Sequence, residues 1–213
     1  MSRYPDALEV ARRLAALPDK GVVGYALLGT IAHQDGVPED AAAAYEQLLE
    51  IDPTLRTLPI PRDLFWSEFV GDLIESGRPT DARKYLRTPL SETPDDPVLL
   101  DLDGRVGFQL GEFEAAELAW KRASAADPKR SRPWMGLGQI ALRRGEIEES
   151  IRLLGKSAML APSDPEPVYQ KSLAERRAGR IEDAERSRKQ SEALRAKSKA
   201  PNRGMGAMPG KSP

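Results

Sequence analysis

The stretch that decides the fold is residues 131–164, which read SRPWMGLGQIALRRGEIEESIRLLGKSAMLAPSD. It contains an apolar run around Trp134, a turn led by Gly145, a second amphipathic run around Leu154, and a terminal Pro162. Glycine adopts the left-handed conformation that ends a helix, and proline stops the next helix because it donates no backbone hydrogen bond. The stretch therefore predicts two helices joined by a tight turn.

The same pattern recurs along the chain with a period of 34 residues. Successive turn glycines are 34 residues apart after a first gap of 41: Gly36, Gly77, Gly111, Gly145 and Gly179. With each glycine at position 15, the units are 22–55, 63–96, 97–130, 131–164 and 165–198, and residues 56–62 are an insertion after the first unit. Amino-acid composition alone does not place the same kind of residue at the same position of five successive units. The chain is therefore built of internal repeats.

Other positions of the unit keep the same kind of residue. Positions 8 and 20 are mostly small and positions 4 and 24 mostly large, while position 32 is proline in the first four units: Pro53, Pro94, Pro128 and Pro162. Small residues allow two antiparallel helices to approach closely, and large ones fill the space between neighbouring hairpins. We therefore expect Trp66, Trp120 and Trp134 to belong to the core; the alternative is a stacking platform for a base or ligand.

This pattern resembles the tetratricopeptide repeat family over nearly the whole chain. The resemblance implies an all-α fold, a right-handed α-solenoid of five antiparallel helix pairs with a flanking N-terminal helix. It also implies a concave groove lined by the first helix of each pair. The function that it implies is a scaffold that binds other proteins, without catalysis.

The two ends of the chain depart from the repeat. Residues 1–21 carry apolar side chains on one helical face, which predicts a helix over 5–17 that caps the array at residues 22–198. A terminal repeat must hide an apolar face that no neighbour covers, and this segment would do so. Residues 199–213 are rich in glycine and proline and are expected to form a disordered tail.

Three further features break the pattern inside the array. Pro89 stands where the family prefers alanine in the second helix, so we expect that helix to end early. Asp103 stands at a usually apolar position, where a buried carboxylate needs a partner. The insertion at 56–62 contains Pro59 and Pro61, which predicts an extended connector; we favour a tolerated surface loop over a bend in the array.

Composition excludes several classes of site. The chain has no cysteine, and His33 is its only histidine, so thiolate chemistry and a two-histidine metal site are excluded. We predict no enzyme activity, no cofactor and no metal. The longest apolar stretch, residues 21–32, is shorter than the roughly 20 residues that span a membrane, and we expect a soluble cytoplasmic protein.

Charge is uneven along the sequence. Residues 165–213 have 12 Lys and Arg against 6 Asp and Glu, whereas residues 1–164 have 20 against 27. One alternative function is therefore an adaptor to nucleic acid or an anionic membrane through the basic C-terminal region. Another is a regulatory part of a larger enzyme complex. We favour neither of these, and interpret the basic region as a solvated capping helix followed by a tail.

The resemblance also indicates where a partner binds. In the family, positions 2, 5, 9 and 12 of each first helix face the groove. These positions and an adjacent arginine give the candidate partner-binding residues: Ile74, Arg105, Phe108, Arg132, Met135, Gln139, Leu142, Arg143, Tyr169 and Arg176. An apolar strip bordered by arginines suits a protein or peptide partner with apolar anchors and acidic flanks, and no small-molecule substrate. The alternative is that neighbouring helices or the tail shield this strip.

Overall fold

The computed structural model describes residues 4–199, and all the regular structure in that range is α-helical. The helices are α1 (Tyr4–Ala15), α2 (Gly21–Gln34), α3 (Pro38–Ile51), α4 (Arg62–Glu75), α5 (Pro79–Glu92), α6 (Pro97–Gln109), α7 (Phe113–Ala126), α8 (Ser131–Arg144), α9 (Ile147–Leu160), α10 (Pro165–Arg177) and α11 (Ile181–Lys199). None of them is both long enough and apolar enough to cross a membrane.

After α1, the helices form five pairs, each joined by a short turn. The five turn glycines all have positive φ, between 71° and 81°, a conformation that an L side chain rarely adopts. Gly145, for example, caps α8 with φ 81°, and its amide nitrogen lies 3.3 Å from the Leu142 carbonyl oxygen. The predicted all-α class built of helix pairs is confirmed for the described residues.

Prolines and aspartates mark where helices begin. Four helices have proline as their first residue, where its missing N–H donor costs nothing: α3, α5, α6 and α10. Asp96 precedes α6, and its carboxylate accepts hydrogen bonds from the backbone of Val98 at 2.7 Å and Leu99 at 3.1 Å. Asp164 caps α10 in the same way, through Glu166.

The chain divides into two compact units between Pro128 and Lys129. The first unit contains α1–α7, and its core is aromatic: the rings of Tyr45 and Phe65 lie 5.2 Å apart in an edge-to-face arrangement. The second unit contains α8–α11. A cluster of Leu142, Leu154 and Ala174 packs there among α8, α9 and α10.

Glycine on one helix and a large residue on its pair produce the close packing that the repeat predicts. A Cβ atom added to Gly104 would lie 2.6 Å from Nε1 of Trp120, and one on Gly138 would lie 2.7 Å from Cγ of Leu154. Trp66 and Trp120 are buried, as predicted. The same prediction was wrong for Trp134, which is only half-buried; the ammonium group of Lys156 lies over its ring, 3.2 Å from the ring centroid.

The expectation that Pro89 ends its helix early was wrong, because α5 continues to Glu92. Pro89 lies in the last turn, so few residues follow it, and its carbonyl accepts hydrogen bonds from both the backbone nitrogen and the hydroxyl of Thr93, each at 2.9 Å. The expected partner of Asp103 is present: Nε of Arg83 lies 3.4 Å from its carboxylate. Burial still raises the pKa of Asp103.

The insertion is folded onto the first unit and is not an extended connector. Leu58 and Ile60 pack against the core. Asp52 holds the start of the loop, since its carboxylate accepts hydrogen bonds from the backbone nitrogen of Thr57 at 2.7 Å, the Thr57 hydroxyl at 2.8 Å and the Thr54 hydroxyl at 3.0 Å. These bonds, led by the Thr57 amide, lower the pKa of Asp52 despite its burial.

The N-terminal helix α1 ends at Ala15, two residues before the predicted end. It packs against α2, with Ala11 completely buried. A Cβ atom on Gly24 would lie 2.1 Å from the backbone nitrogen of Ala15, so the two helices touch at backbone distance. The predicted tail lies outside the described residues, except for Lys199 at the end of α11.

Candidate functional site

In the second unit, the candidate residues of α8 lie along one face of the helix. Arg132, Met135, Gln139 and Leu142 are three or four residues apart, the spacing that brings side chains onto one face. Arg132 is exposed, whereas Met135 and Gln139 are half-buried. Exposed Arg143 follows at the end of the helix. The accessible part of this face is therefore a thioether and an amide between two arginines.

Leu142 differs from what the sequence predicted. It is only 8% exposed, and it packs against Leu154 and Ala174 in the core of the second unit. The prediction that it lines an exposed strip was therefore wrong. This apolar side chain in the last turn of α8 is covered because α10 packs beside α8 and α9. Leu142 therefore belongs to the core beneath this face and not to its accessible surface.

On α10, Tyr169, Leu173 and Arg176 are three or four residues apart and share one face of that helix, and α8 and α10 contact each other directly. Tyr169 is half-buried, and the guanidinium carbon of Arg195 lies 5.0 Å from its ring centroid. Leu173 is 36% exposed and Arg176 is exposed. Leu173, which the sequence analysis did not select, adds the apolar surface that Leu142 lacks.

In the first unit, the candidates are Ile74 on α4 and Arg105 and Phe108 on α6. Ile74 is half-buried against the core. Phe108 is also half-buried, and its ring lies 5.4 Å from that of Phe113 and 5.8 Å from that of Trp120. A Cβ atom on Gly71 would lie 3.8 Å from Nη2 of Arg105, so the glycine keeps the helix surface beneath the guanidinium group open.

The structure also contains a buried polar cluster that the sequence analysis missed. We call Thr30, His33, Tyr45, Glu68 and Asp72 the polar cluster. The Tyr45 hydroxyl donates to Glu68, Thr30 Oγ1 lies 3.4 Å from the same carboxylate, and His33 Nδ1 lies 2.8 Å from Asp72 Oδ1. Glu68 and Asp72 are 8% and 2% exposed. The only signal in the sequence was two acids within the apolar run of α4.

Burial sets the electrostatics of the polar cluster. It raises the pKa of Asp72, and His33 opposes this while Glu75 and Glu68 add to it. Burial and the hydrogen bond to Glu68 raise the pKa of Tyr45 far above its usual range. Asp72 Oδ2 has no hydrogen-bond partner. The cluster links α2, α3 and α4.

Comparison with known proteins gives the family. The tetratricopeptide repeat model matches residues 1–55 and 104–165, more than half of the chain. The cellulose synthase operon protein C of Komagataeibacter xylinus is 28% identical over an alignment of 170 residues, and the match covers 76% of this chain and 12% of that protein. This chain therefore spans about an eighth of the length of the relative that it matches.

Solved structures are similar in fold. A thermophilic tetratricopeptide protein from Thermus thermophilus has a TM-score of 0.68 at 16% identity, over 83% of this chain and 96% of that one. The PilF protein of Pseudomonas aeruginosa has a TM-score of 0.62 at 20% identity, over 83% and 78%. At these identities the likeness concerns the fold alone.

Proposed function

The chain belongs to the tetratricopeptide repeat family, and on this premise we propose that it is a non-catalytic scaffold that binds a protein segment on the faces of its first helices. Proteins of this family generally act as protein-interaction scaffolds. The polar cluster offers no arrangement of nucleophile, base and orienting group. Among residues 4–199, no group of three or more His, Asp or Glu could hold a metal ion.

The observation that carries this proposal is the face of α8 and α10 in the second unit. Met135, Tyr169 and Leu173 present partly accessible apolar surface there. Exposed arginines border it at Arg132, Arg143 and Arg176. Aromatic and arginine side chains are the most frequent hot spots of protein interfaces, and arginine binds carboxylates through two hydrogen bonds.

This chemistry specifies the partner segment. Apolar side chains of the segment would occupy the space between Met135 and Leu173, and its Asp or Glu residues would meet the arginines. We therefore propose that the partner segment has apolar side chains as anchors and acidic residues on either side of them. In the first unit, Ile74, Arg105 and Phe108 offer a second, smaller face of the same kind, with one cation.

The experiment begins with affinity isolation of the full chain from its native cell and identification of bound proteins by mass spectrometry. The dissociation constant for the partner is then measured for the parent, Arg143→Glu and Phe108→Ala. We expect each variant to weaken binding about tenfold or more, which corresponds to about 1.4 kcal/mol. Lys197→Glu, an equal charge change at an exposed position of α11, is the matched control and should bind like the parent.

Two results would contradict the proposal. If Arg143→Glu and Phe108→Ala both bind like the parent while their melting is unchanged, the partner uses another surface. If Lys197→Glu weakens binding as much as Arg143→Glu, recognition depends on net charge. A salt-dependent complex with generic DNA, RNA or anionic vesicles would then favour the adaptor function.

A further inference from the structure

The two units of the chain carry nearly opposite net charges. Residues 1–128 have 13 Lys and Arg against 23 Asp and Glu, a net charge of −10. Residues 129–213 have 19 against 10, a net charge of +9. The whole chain therefore has a net charge of only −1, so overall repulsion between two copies is small. Each unit is instead complementary in charge to the other unit of a second molecule.

The second unit has an open groove outside the proposed partner surface. Helices α9, α10 and α11 line this groove, which has a volume of about 370 Å³. Its apolar wall includes Ile151, Val168 and Met159, and Met159 is 77% exposed. Gly155 keeps the groove open, because a Cβ atom added there would meet only Cε of Lys171, at 3.9 Å. We call this the α9–α11 groove.

Three cations surround the α9–α11 groove: Arg152, Lys156 and Lys171. Arg152 and Lys171 pair with Glu149 and Glu175. Lys156 has no carboxylate of the described residues within ion-pair distance, and its ammonium group lies on the ring of Trp134. An apolar groove with an unneutralised cation at its edge fits a segment in which an apolar side chain lies between carboxylates.

The first unit presents such a segment at the turn between α2 and α3. We call residues 35–40 the acidic turn. Val37 is 39% exposed, and the exposed carboxylates of Asp35, Glu39 and Asp40 surround it in sequence. None of the three forms an ion pair with a described residue. Gly36 adopts φ 71°, a conformation that glycine allows and that closes the turn between the two helices.

We propose that the chain associates head to tail, with the acidic turn of one copy docked in the α9–α11 groove of a second copy. The contact joins two different surfaces, so a linear assembly keeps one free turn at one end and one free groove at the other unless a ring closes. A single turn in one groove is a small contact. We therefore expect weak, concentration-dependent association that salt screens. This inference uses none of the residues assigned to the partner surface.

Sedimentation velocity of the full chain at two salt concentrations tests the proposal. The Debye screening length is about 10 Å at about 0.1 M salt and about 3 Å at about 1 M salt. We expect the mean sedimentation coefficient to rise with protein concentration at low salt, and to be constant at high salt. A chain that is monomeric at both salt concentrations would refute head-to-tail association. Association that is unchanged at 1 M salt would also refute it, since the contact would then not be ionic.

The groove variant is Gly155→Glu. It fills the groove and adds a repelling charge, yet it favours the helix, because glycine is a poor helix former and the added Cβ meets no close neighbour. Its matched control is Ala196→Glu, which adds the same charge at an exposed position of α11. Ala196 follows the groove residue Ser187 by about two and a half turns, and so lies on the opposite face of the helix. We expect the first to abolish association and the second to preserve it. The opposite result, or no effect of either, would overturn the proposal.

The turn variant is the triple substitution Asp35→Asn, Glu39→Gln and Asp40→Asn, which removes the charges and keeps the shape. Alone, it should be monomeric. Mixed with Gly155→Glu, it should give a one-to-one heterodimer that grows no further, because the mixture has one intact turn and one intact groove per pair. If both variants are monomeric alone and the mixture is also monomeric, the turn does not dock in the groove.

Discussion

Nδ1 of His33 lies 2.8 Å from Oδ1 of Asp72, so the only histidine of the chain is bound to a carboxylate that is 2% exposed. The bond joins the first helix of one pair to the first helix of the next. Glu68, one turn before Asp72 on α4, is held in turn by the hydroxyls of Tyr45 and Thr30. Side chains from three helices thus fix α4 against the first pair through hydrogen bonds within an apolar core.

Replacing Asp72 with asparagine should stabilise the fold at neutral pH. Burial raises the pKa of Asp72 above its ordinary 3.8, so the folded state holds this proton more tightly than the unfolded state. The contribution of Asp72 to stability is therefore fully present below pH 3.8 and declines as the pH rises through the folded pKa. An asparagine at this position has no titratable proton and keeps an oxygen that accepts from His33.

Urea unfolding at a series of pH values measures this effect. The difference in unfolding free energy between Asp72→Asn and the parent should increase from about pH 4 upward and then become constant. Asp63→Asn, an exposed position in the first turn of the same helix, is the control and should show no such rise. Parallel pH curves for Asp72→Asn and the parent would contradict the prediction.

Two glycine-to-alanine substitutions should have opposite effects. A Cβ atom on Gly104 would lie 2.6 Å from Nε1 of Trp120, which also donates to Asp101 Oδ1 at 3.0 Å. Gly104→Ala should therefore lower the unfolding free energy by about 1–3 kcal/mol through overpacking. At Gly155 an added Cβ atom would meet only Lys171, at 3.9 Å. Gly155→Ala should therefore raise the unfolding free energy by about 0.5–1 kcal/mol through helix propensity. Denaturant titration of both variants measures the two changes in unfolding free energy. Equal changes in the two variants would contradict the packing that the structure shows.

Removing the Asp52 carboxylate should loosen the insertion after the first pair. Asp52→Ala leaves the Thr57 amide and two threonine hydroxyls without their acceptor, which should cost about 1–3 kcal/mol. The pKa of Asp52 is lowered, so its contribution is present above pH 3.8 and is lost as the pH falls through the folded value. The deficit of Asp52→Ala should thus shrink in acid. Limited proteolysis of the loop checks the local effect, and unchanged cleavage would disprove it.

The repeat could be predicted from the sequence because its signals are local. A turn glycine, a terminating proline and small residues at fixed positions recur every 34 residues, and each acts within its own helix pair. Pro89 shows the limit of such reasoning. Its effect on the length of α5 depends on how many residues of the helix follow it, and only three do.

Contacts between helix pairs could not be predicted in the same way. The polar cluster joins residues as much as 39 positions apart, and its members become partners only when the pairs are packed. Leu142 was assigned to an open strip by its position in the repeat, but its exposure depends on how closely α10 packs beside it. For the same reason, the sequence did not indicate the accessible surface at Leu173.

The last prediction concerns α1, which the sequence analysis interpreted as a cap. A Cβ atom on Gly24 would lie 2.1 Å from the nitrogen and 2.5 Å from the Cα of Ala15, so no side-chain movement relieves the clash. Gly24→Ala should therefore push α1 away from α2 although alanine favours α2 itself. The amides of α1 should lose protection in hydrogen exchange, and binding of an apolar dye should rise as the surface around Ala11 opens. Gly155→Ala, a glycine substitution in another helix, is the control and should change neither readout. If α1 keeps its protection in Gly24→Ala, the helix is not held by this backbone contact, and its role as a cap loses its structural basis.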